Sequence, residues 1–158
     1  SYHGAPQIYY GDEVGMWGAD DPDNRKPMIW NDLVYDPENS LPTGCMQQNE
    51  IVSPDENLKM YYKHLIQMRK QYSSLFCDGS LEYLKADNSQ NLLVYSRNLK
   101  DQEAIVILNF SAKRIQTDIP VKFDNYQTVL GKKNLISAEN AMISLSLPAF
   151  SARIYINR

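Results

Sequence analysis

The stretch Gly4-Ala-Pro-Gln-Ile-Tyr-Tyr-Gly-Asp-Glu-Val-Gly-Met-Trp-Gly-Ala-Asp-Asp-Pro-Asp-Asn-Arg-Lys-Pro-Met-Ile-Trp30 determines how the rest of the chain is interpreted. Near its start lies Ile8-Tyr9-Tyr10, a run of β-branched and aromatic residues bounded by glycine and proline. Such a run predicts a buried strand. The residues that follow are rich in Gly, Asp and Pro and show neither a helical nor an alternating period, which predicts a long loop.

This loop carries the kinds of side chain that bind sugars. Carboxylates and a guanidinium group bond sugar hydroxyls bidentately, and indole rings stack on the apolar face of a sugar. A carbohydrate contact is therefore the first functional hypothesis for this part of the chain. The loop residues of these types are Asp12, Glu13, Asp20, Asp21, Asp23, Arg25, Trp17 and Trp30.

The same stretch resembles the last barrel strand and following loop of the α-amylase family of glycoside hydrolases, and within it the neopullulanase and cyclomaltodextrinase branch. That branch has a Gly-x-Pro-x-Ile-Tyr-Tyr-Gly-Asp-Glu run, followed by Asp-Pro-x-x-Arg and then Met-x-Trp. Here the three motifs stand at Gly4–Glu13, Asp21–Arg25 and Met28–Trp30. A match of this length with few gaps is specific, and the segments downstream also fit the family.

The resemblance implies a chain that is mainly β and has two regions. Residues 1–76 would be the end of a (β/α)8 barrel, comprising its eighth strand, a long loop and its last helix. Residues 77–158 would form an antiparallel β-sandwich of the type found at the C-terminus of α-amylases. Because Ser1-Tyr2-His3 leads directly into the predicted strand, we expect the chain to begin inside the barrel. Without the other strands, we expect either disorder before about residue 50 or self-association.

The residue pattern predicts one amphipathic helix after the loop. Ser53-Pro54-Asp55-Glu56 is typical of a helix start, with Ser53 as the cap and Glu56 completing a capping box. Residues 31–52 before it show no period and are predicted to continue the loop, with a turn at Tyr35–Asn39. The helix should end near Ser73, with apolar residues on one face at Leu58, Tyr61, Tyr62, Leu65, Met68 and Tyr72.

From Asp78 onward the pattern changes to short runs with a period of two. Turn sequences separate these runs, as at residues 87–90, 98–101 and 131–134. This spacing predicts an antiparallel sandwich of seven or eight strands. The predicted strands are 81–84, 92–97, 104–110, 115–119, 126–130, 141–147 and 150–156.

Composition excludes several classes of function. The net charge is −3, and no apolar run approaches the ~20 residues of a membrane helix. No basic stripe suggests a nucleic-acid partner. Cys45 and Cys77 lack the spacing and the histidine neighbours of metal or redox sites, so no metal or cofactor is predicted, and a disulfide between them is the less favoured alternative. A periplasmic, extracellular or cytoplasmic location fits the sequence equally well.

The resemblance also implies a reaction and assigns no catalytic residue to this chain. The family hydrolyses α-1,4 bonds, and in some members α-1,6 bonds, in maltodextrins, cyclodextrins or pullulan by the retaining two-carboxylate mechanism. Its three catalytic acids lie on the fourth, fifth and seventh barrel strands, and none of the acids in the present loop matches their motifs. The chain alone is therefore expected to be inactive. Transglycosylation by the parent enzyme is a compatible alternative.

The resemblance implies substrate binding by Asp21 and Arg25, whose counterparts contact sugar units on the non-reducing side of the cleaved bond. The alternative is a salt bridge between the two, which would be worth only ~0–1 kcal/mol on the surface. Trp17 is either a sugar platform or part of the loop packing. Trp30 is expected in the core. Tyr10 and Glu13 are expected to support the floor of the cleft through buried hydrogen bonds.

The implied partners are an α-glucan oligosaccharide and the remainder of the catalytic barrel. Two alternatives stay open: a non-catalytic carbohydrate-binding module and a purely structural domain. The first would use tyrosines on the outside of the sandwich, although core packing is the favoured interpretation of Tyr83, Tyr95, Tyr126 and Tyr155. The glycosylation triplet at Asn109 lies at a strand end and is discounted.

Overall fold

The computed structural model describes residues 1–18, 21–40, 46–132 and 134–158. The chain divides into two compact units. We call residues 5–67 the loop-and-helix unit, and residues 1–4 with 68–158 the sandwich unit. The fold is mainly β with antiparallel sheets, as predicted. The assignment of residues 1–76 to a barrel and 77–158 to a sandwich domain stays a prediction.

The loop-and-helix unit contains short elements joined by irregular segments. Single 3₁₀ turns lie at Asp12–Val14 and Asp23–Arg25. Strands β1 (Glu38–Ser40) and β2 (Met46–Glu50) pair antiparallel. The prediction of an irregular segment throughout residues 31–52 is therefore wrong. These strands are rich in Glu, Gln and Asn, which have low intrinsic strand preference, so their pairing depends on tertiary context rather than on propensity.

The predicted buried strand at Ile8–Tyr10 is also wrong in this structure. No strand forms there, and all three side chains are exposed. A strand is stabilised by hydrogen bonds to a neighbouring strand, and none of the described strands pairs with these residues. The local sequence therefore favours a strand, but no neighbouring strand among the described residues is in place to form hydrogen bonds with it.

Helix α1 spans Glu56–Gln71 and starts later than predicted. The cap is Asp55, whose carboxylate accepts a hydrogen bond from the Leu58 amide at 3.0 Å, and not Ser53. The Asp55 amide in turn donates to the Val14 carbonyl at 3.0 Å. This tertiary bond fixes the chain just before the helix and explains the shift. The predicted apolar face is half-buried at Leu58, Tyr62 and Leu65, buried at Met68 and exposed at Tyr61.

The sandwich unit begins at the end of α1 and contains a short helix and eight strands. Helix α2 covers Ser73–Asp78, with Leu75 and Phe76 buried. All seven predicted strands are present, and Leu135–Ser137 adds the eighth. The strands are β3 (Ser80–Asp87), β4 (Leu92–Leu99), β5 (Gln102–Asn109), β6 (Ile115–Pro120), β7 (Asn125–Leu130), β8 (Leu135–Ser137), β9 (Met142–Leu147) and β10 (Ser151–Asn157).

These strands form two antiparallel sheets, one of six strands in the order β3-β4-β5-β10-β7-β8 and one of β6 and β9. Strand β6 shows the predicted alternation, since its odd-numbered residues are buried and its even-numbered residues exposed. Residues from both sheets meet in a single core. Its buried members are Leu92, Val94, Ile105, Ile107, Ile115, Ile119, Val121, Tyr126, Ile143, Leu147 and Tyr155.

Polar side chains inside the sandwich unit are held by hydrogen bonds. The Tyr126 hydroxyl donates to the buried Glu103 carboxylate and accepts from the Phe123 amide at 3.1 Å. The buried Asn109 amide donates to the carbonyls of Lys113 and Pro148 at 2.9 and 2.7 Å. Both hydrogens of the Asn109 amide are thus engaged, which supports discounting its glycosylation triplet.

Tyr95, Tyr126 and Tyr155 are buried, so the expectation of core packing is confirmed for them, whereas Tyr83 is exposed and that expectation is wrong. Cys77 is an exposed thiol, and Cys45 lies outside the described residues, so the disulfide alternative stays a prediction. No helix in the described parts of the chain is long and apolar enough to span a membrane.

Candidate functional site

The candidate site is the loop between Tyr9 and Trp30, and its acidic residues form the first turn. The Asp12 carboxylate accepts from the Tyr9 amide at 3.2 Å, and the Glu13 carboxylate accepts from the Gly11 amide at 2.9 Å. Asp12 therefore has a structural role in this turn. Because both carboxylates are engaged with loop amides, they fix the backbone rather than presenting a pair of acids to a substrate.

Gly11 is required where this turn closes. Its φ of 93° lies in the left-handed region, and a Cβ atom there would lie 2.7 Å from the Met16 sulfur. The Met16 amide donates to the Gly11 carbonyl at 2.9 Å, which brings the chain back on itself immediately before Trp17. The Gly-Asp-Glu motif therefore sets the position from which the indole ring projects.

Tyr10 joins the two ends of the loop. Its hydroxyl donates to the Lys26 carbonyl at 2.8 Å. The ring is exposed and Glu13 is half-buried, so their hydrogen bonds are less buried than predicted. Together with Ile8, Tyr62 and Ile66, these two residues line an open cavity of about 470 Å³. Their support of a sugar-binding cleft stays a prediction.

Asp21 and Arg25 form an ion pair on the surface of the loop. Arg25 Nε lies 2.8 Å from an Asp21 carboxylate oxygen, and the side chains of Arg25 and Asp21 are 69% and 57% exposed. The single 3₁₀ turn between them is closed by a hydrogen bond from the Arg25 amide to the Pro22 carbonyl at 2.9 Å. The salt bridge that the sequence offered as an alternative is thus formed. Both of its side chains are in contact with solvent.

Trp17 contacts Lys26, the residue that follows Arg25 in the chain. The Lys26 ammonium lies 4.0 Å from the centroid of the Trp17 ring, and the same ammonium forms a salt bridge with Glu38 on β1. Trp17 is half-buried, whereas Trp30 is exposed, so the expectation of a core position for Trp30 is wrong. The Trp30 amide donates to the Tyr35 hydroxyl at 2.6 Å.

A cavity of about 470 Å³ opens beside Trp17, and we call it the Trp17 cavity. Neither Asp21 nor Arg25 lines it. Most of its polar lining was missed at the sequence level, because Glu38 and Glu50 meet through the β1–β2 pairing and residues 31–52 show no strand period. Its aromatic and charged lining residues are Trp17, Lys26, Tyr35, Asp36, Glu38 and Glu50.

The described part of the site offers groups that can recognise a ligand by hydrogen bonds and stacking. Among the described residues, no group of three or more His, Cys, Asp or Glu side chains is arranged to hold a metal ion. What the loop provides is an exposed guanidinium–carboxylate pair and an aromatic cavity lined with carboxylates. Both arrangements are suited to hydroxyl-rich ligands.

Comparison with known families identifies the second half of the chain. Residues 81–154 match the family described as maltogenic amylase, C-terminal domain. This range covers strands β4–β9, nearly all of β3 and the first half of β10. The match therefore falls entirely within the sandwich unit.

Curated relatives extend the similarity to the loop. A cyclomaltodextrinase of Geobacillus thermopakistaniensis is 33% identical over 156 residues, covering 98% of this chain and 23% of the relative. Neopullulanase 2 of Thermoactinomyces vulgaris is 38% identical over 109 residues, covering 69% of this chain and 15% of the relative. The chain thus spans less than a quarter of the length of either relative.

Solved structures share the fold. The α-amylase of Geobacillus thermoleovorans, solved in complex with acarbose, superposes with a TM-score of 0.73 at 20% identity. The superposition covers 95% of this chain and 29% of that one. At this level of identity the likeness concerns the fold alone, and it includes most of both units.

Proposed function

Since this chain carries the C-terminal domain of an α-amylase-family enzyme, we propose that its loop contributes substrate contacts to a glycoside hydrolase acting on α-glucans. The parent enzyme would hydrolyse α-1,4 bonds, and as an alternative α-1,6 bonds as well, in maltodextrins, cyclodextrins or pullulan. The similarity to a cyclomaltodextrinase and a neopullulanase supports this substrate class. The sandwich unit would serve as the structural part.

The observation that carries this proposal is the exposed Asp21–Arg25 pair. The pair is 2.8 Å apart on a turn that is closed by a backbone hydrogen bond, so both side chains start from a short, defined segment. A guanidinium presents five N–H donors in a fixed plane, and the 2.8 Å contact with Asp21 is made by Nε. Arg25 can therefore donate to a sugar hydroxyl while it remains paired with Asp21.

Three further residues would extend sugar contact in this loop beyond the ion pair. Trp17 would stack on a sugar ring, because indole rings pack against the apolar C–H face of a pyranose. Tyr10 and Glu13 would position these contacts, since Tyr10 bonds Lys26 and Glu13 bonds Gly11 across the loop. Substitution of either should act on binding through the loop conformation.

Titration with maltoheptaose tests the role of the pair. In isothermal calorimetry, Arg25→Ala or Asp21→Ala should weaken binding about tenfold or more, the loss expected for one hydrogen bond to a charged group. The matched control is Glu82→Ala, because Glu82 and Lys122 form an ion pair of similar length and exposure in the sandwich unit. Equal affinities for all variants would contradict the proposal.

The proposed lack of activity has a separate test. The 158-residue chain should release no reducing sugar from maltodextrin, because the resemblance places all three catalytic acids on earlier barrel strands. The reading frame upstream of Ser1 should encode those three motifs. Hydrolysis by this chain alone, or an upstream sequence without the motifs, would reject its assignment as part of a larger hydrolase.

Exposed apolar residues indicate the second partner, the remainder of the barrel. They are concentrated in the loop-and-helix unit and would be covered there in the parent enzyme. The isolated chain should therefore self-associate, and size-exclusion chromatography with light scattering should give a mass above that of the monomer. A monomer at all concentrations would contradict this. The residues are Ile8, Tyr9, Tyr10, Trp30, Leu33, Val34, Ile51, Met60, Tyr61 and Ile66.

A free binding module that uses sandwich tyrosines is less well supported. Such modules need several outward aromatic rings, but three of the four candidate tyrosines are buried. The purely structural alternative would be favoured if maltoheptaose failed to bind the wild-type chain.

A further inference from the structure

We propose that the Trp17 cavity binds a hexose unit and is a second sugar site, separate from the Asp21–Arg25 pair. Its volume of about 470 Å³ falls within the range of small-molecule sites in proteins. All of its lining residues belong to the loop-and-helix unit. The inference rests on the proposed function for the identity of the sugar, an α-glucan, while the pocket itself follows from its geometry.

The aromatic part of the cavity is fixed in place. The Tyr35 hydroxyl accepts a hydrogen bond from the Trp30 amide, which holds that ring. Trp17 follows the closed turn at Gly11 and Met16, and the Lys26 ammonium lies over its ring. Aromatic side chains with restricted rotamers lose little entropy when a ligand arrives, so these two rings are suited to stacking on a sugar.

The charged part of the cavity excludes anions. Among the described lining residues, Asp36, Glu38 and Glu50 carry carboxylates and Lys26 carries the one positive charge, which leaves an excess of two negative charges. Lys26 is already paired with Glu38. A phosphate or carboxylate ligand would be repelled, which leaves a neutral or cationic ligand.

Two of the acids lie next to each other across the β1–β2 pair. Glu38 and Glu50 are directly opposite each other in the β1–β2 register, and like charges at such positions destabilise a strand pair. The Lys26 ammonium offsets part of this repulsion through its salt bridge with Glu38. A cost that packing does not explain is typical of binding sites, where residues are retained for the ligand.

A neutral, hydroxyl-rich ring matches these groups better than a cation. Ionised carboxylates are acceptors only and can take two hydroxyl donors each, while the rings offer an apolar face. The described acids of the loop-and-helix unit do not converge into a metal-binding group. A hexose can donate its hydroxyl hydrogens to the carboxylates and stack its apolar face on the aromatic rings.

Tryptophan fluorescence can test the cavity directly. The chain has two tryptophans, so Trp30→Phe leaves Trp17 as the single indole reporter. Titration of this variant with maltose should give a saturable change in emission. Adding Glu50→Gln should weaken the apparent affinity about tenfold or more, as expected for one charge-assisted hydrogen bond. Adding Asp32→Asn, an exposed acid of the same unit outside the cavity, should leave the affinity unchanged.

Several outcomes would overturn the proposal. These are no saturable change with maltose, a change that Glu50→Gln does not affect, or the same change with calcium chloride in place of maltose. Circular dichroism of each variant verifies that the fold is retained. The two sites are separated by Arg25→Ala, which should weaken maltoheptaose binding but leave the Trp17 signal with maltose intact. Loss of that signal with Arg25→Ala alone would place the sugar at the ion pair and reject the pocket.

Discussion

The sandwich unit and the loop-and-helix unit differ in where they place their apolar residues. In the sandwich unit, Ile105 and Ile107 lie in a core formed by two sheets. In the loop-and-helix unit, residues of the same type, such as Ile8 and Ile51, are exposed. An apolar residue stabilises a fold only if neighbouring elements remove it from water. The first unit therefore has a core of its own, and the second leaves much of its apolar surface exposed to water.

Truncating one isoleucine in each unit should give the largest contrast. Ile107 is 0% exposed and Ile51 is 88% exposed. Ile107→Ala should lower the free energy of unfolding by about 2–5 kcal/mol, because it leaves a cavity in a packed core. Ile51→Ala should change it by less than about 0.5 kcal/mol. Urea denaturation followed by near-UV circular dichroism measures both, and equal effects would remove the distinction between the units.

The buried tyrosines should make the sandwich unit sensitive to alkaline pH. Burial, followed by the hydrogen bond to Glu103, raises the pKa of Tyr126 well above its usual value. Above the ordinary tyrosine pKa of about 10, the unfolded chain loses this proton while the folded chain keeps it. The stabilisation is therefore complete below that pH and is lost as the pH rises, by up to about 1.4 kcal/mol per pH unit for one group.

Tyr126→Phe should reduce this slope, and thermal unfolding across the alkaline range would measure it. Burial also raises the pKa of Tyr95 and of Tyr155, so part of the slope should remain in the variant. The control is Tyr61→Phe, since Tyr61 is exposed on α1. A slope that is identical in wild type and in Tyr126→Phe would contradict the assignment.

The start of α1 gives a smaller effect and distinguishes the predicted cap from the observed one. Asp55→Ala should cost about 1 kcal/mol, because the Leu58 amide loses its acceptor. Ser53→Ala should lower the free energy of unfolding by no more than about 0.3 kcal/mol, although the sequence pattern predicted Ser53 as the cap. Chemical denaturation of the two variants compares them. If Ser53→Ala lowered the stability more than Asp55→Ala, the predicted capping box of Ser53 and Glu56 would be correct instead.

The Asp21–Arg25 pair should have the smallest effect on stability. Both side chains are mainly exposed, so Arg25→Ala should change the free energy of unfolding by no more than about 1 kcal/mol, and less at high salt. The combination of a small change in stability and a large change in maltoheptaose affinity would mark a binding residue. A loss of several kcal/mol would instead make the pair a structural element of its unit.

The sandwich was predictable because the signals for its strands, alternating side chains and turn residues, lie in neighbouring residues of the sequence. Ile115, Thr117 and Ile119 alternate with polar residues along β6, and the turn residues between strands mark their ends. The pattern gave all seven predicted strands, and only Leu135–Ser137 was missed. Three residues make too short a run for a period to show.

The loop-and-helix unit was harder because its elements depend on distant partners. Ile8–Tyr10 has the composition of a strand but no strand beside it, and β1 and β2 pair despite poor strand formers. The cap at Asp55 follows from a hydrogen bond to Val14, far away in sequence. The candidate residues Asp21, Arg25 and Trp17 were identified, but the cavity that Trp17 lines without Asp21 and Arg25 was not.

By itself, the sequence determined the β-rich fold, the position of the helix and the family to which the loop motif belongs, because periodicity and motifs are properties of neighbouring residues. Only the tertiary structure decided which side chains of the loop meet. It placed Lys26 between Trp17 and Glu38 and set Glu50 opposite Glu38, contacts that no sequence spacing encodes. Contacts of this kind depend on how the chain folds back on itself in three dimensions.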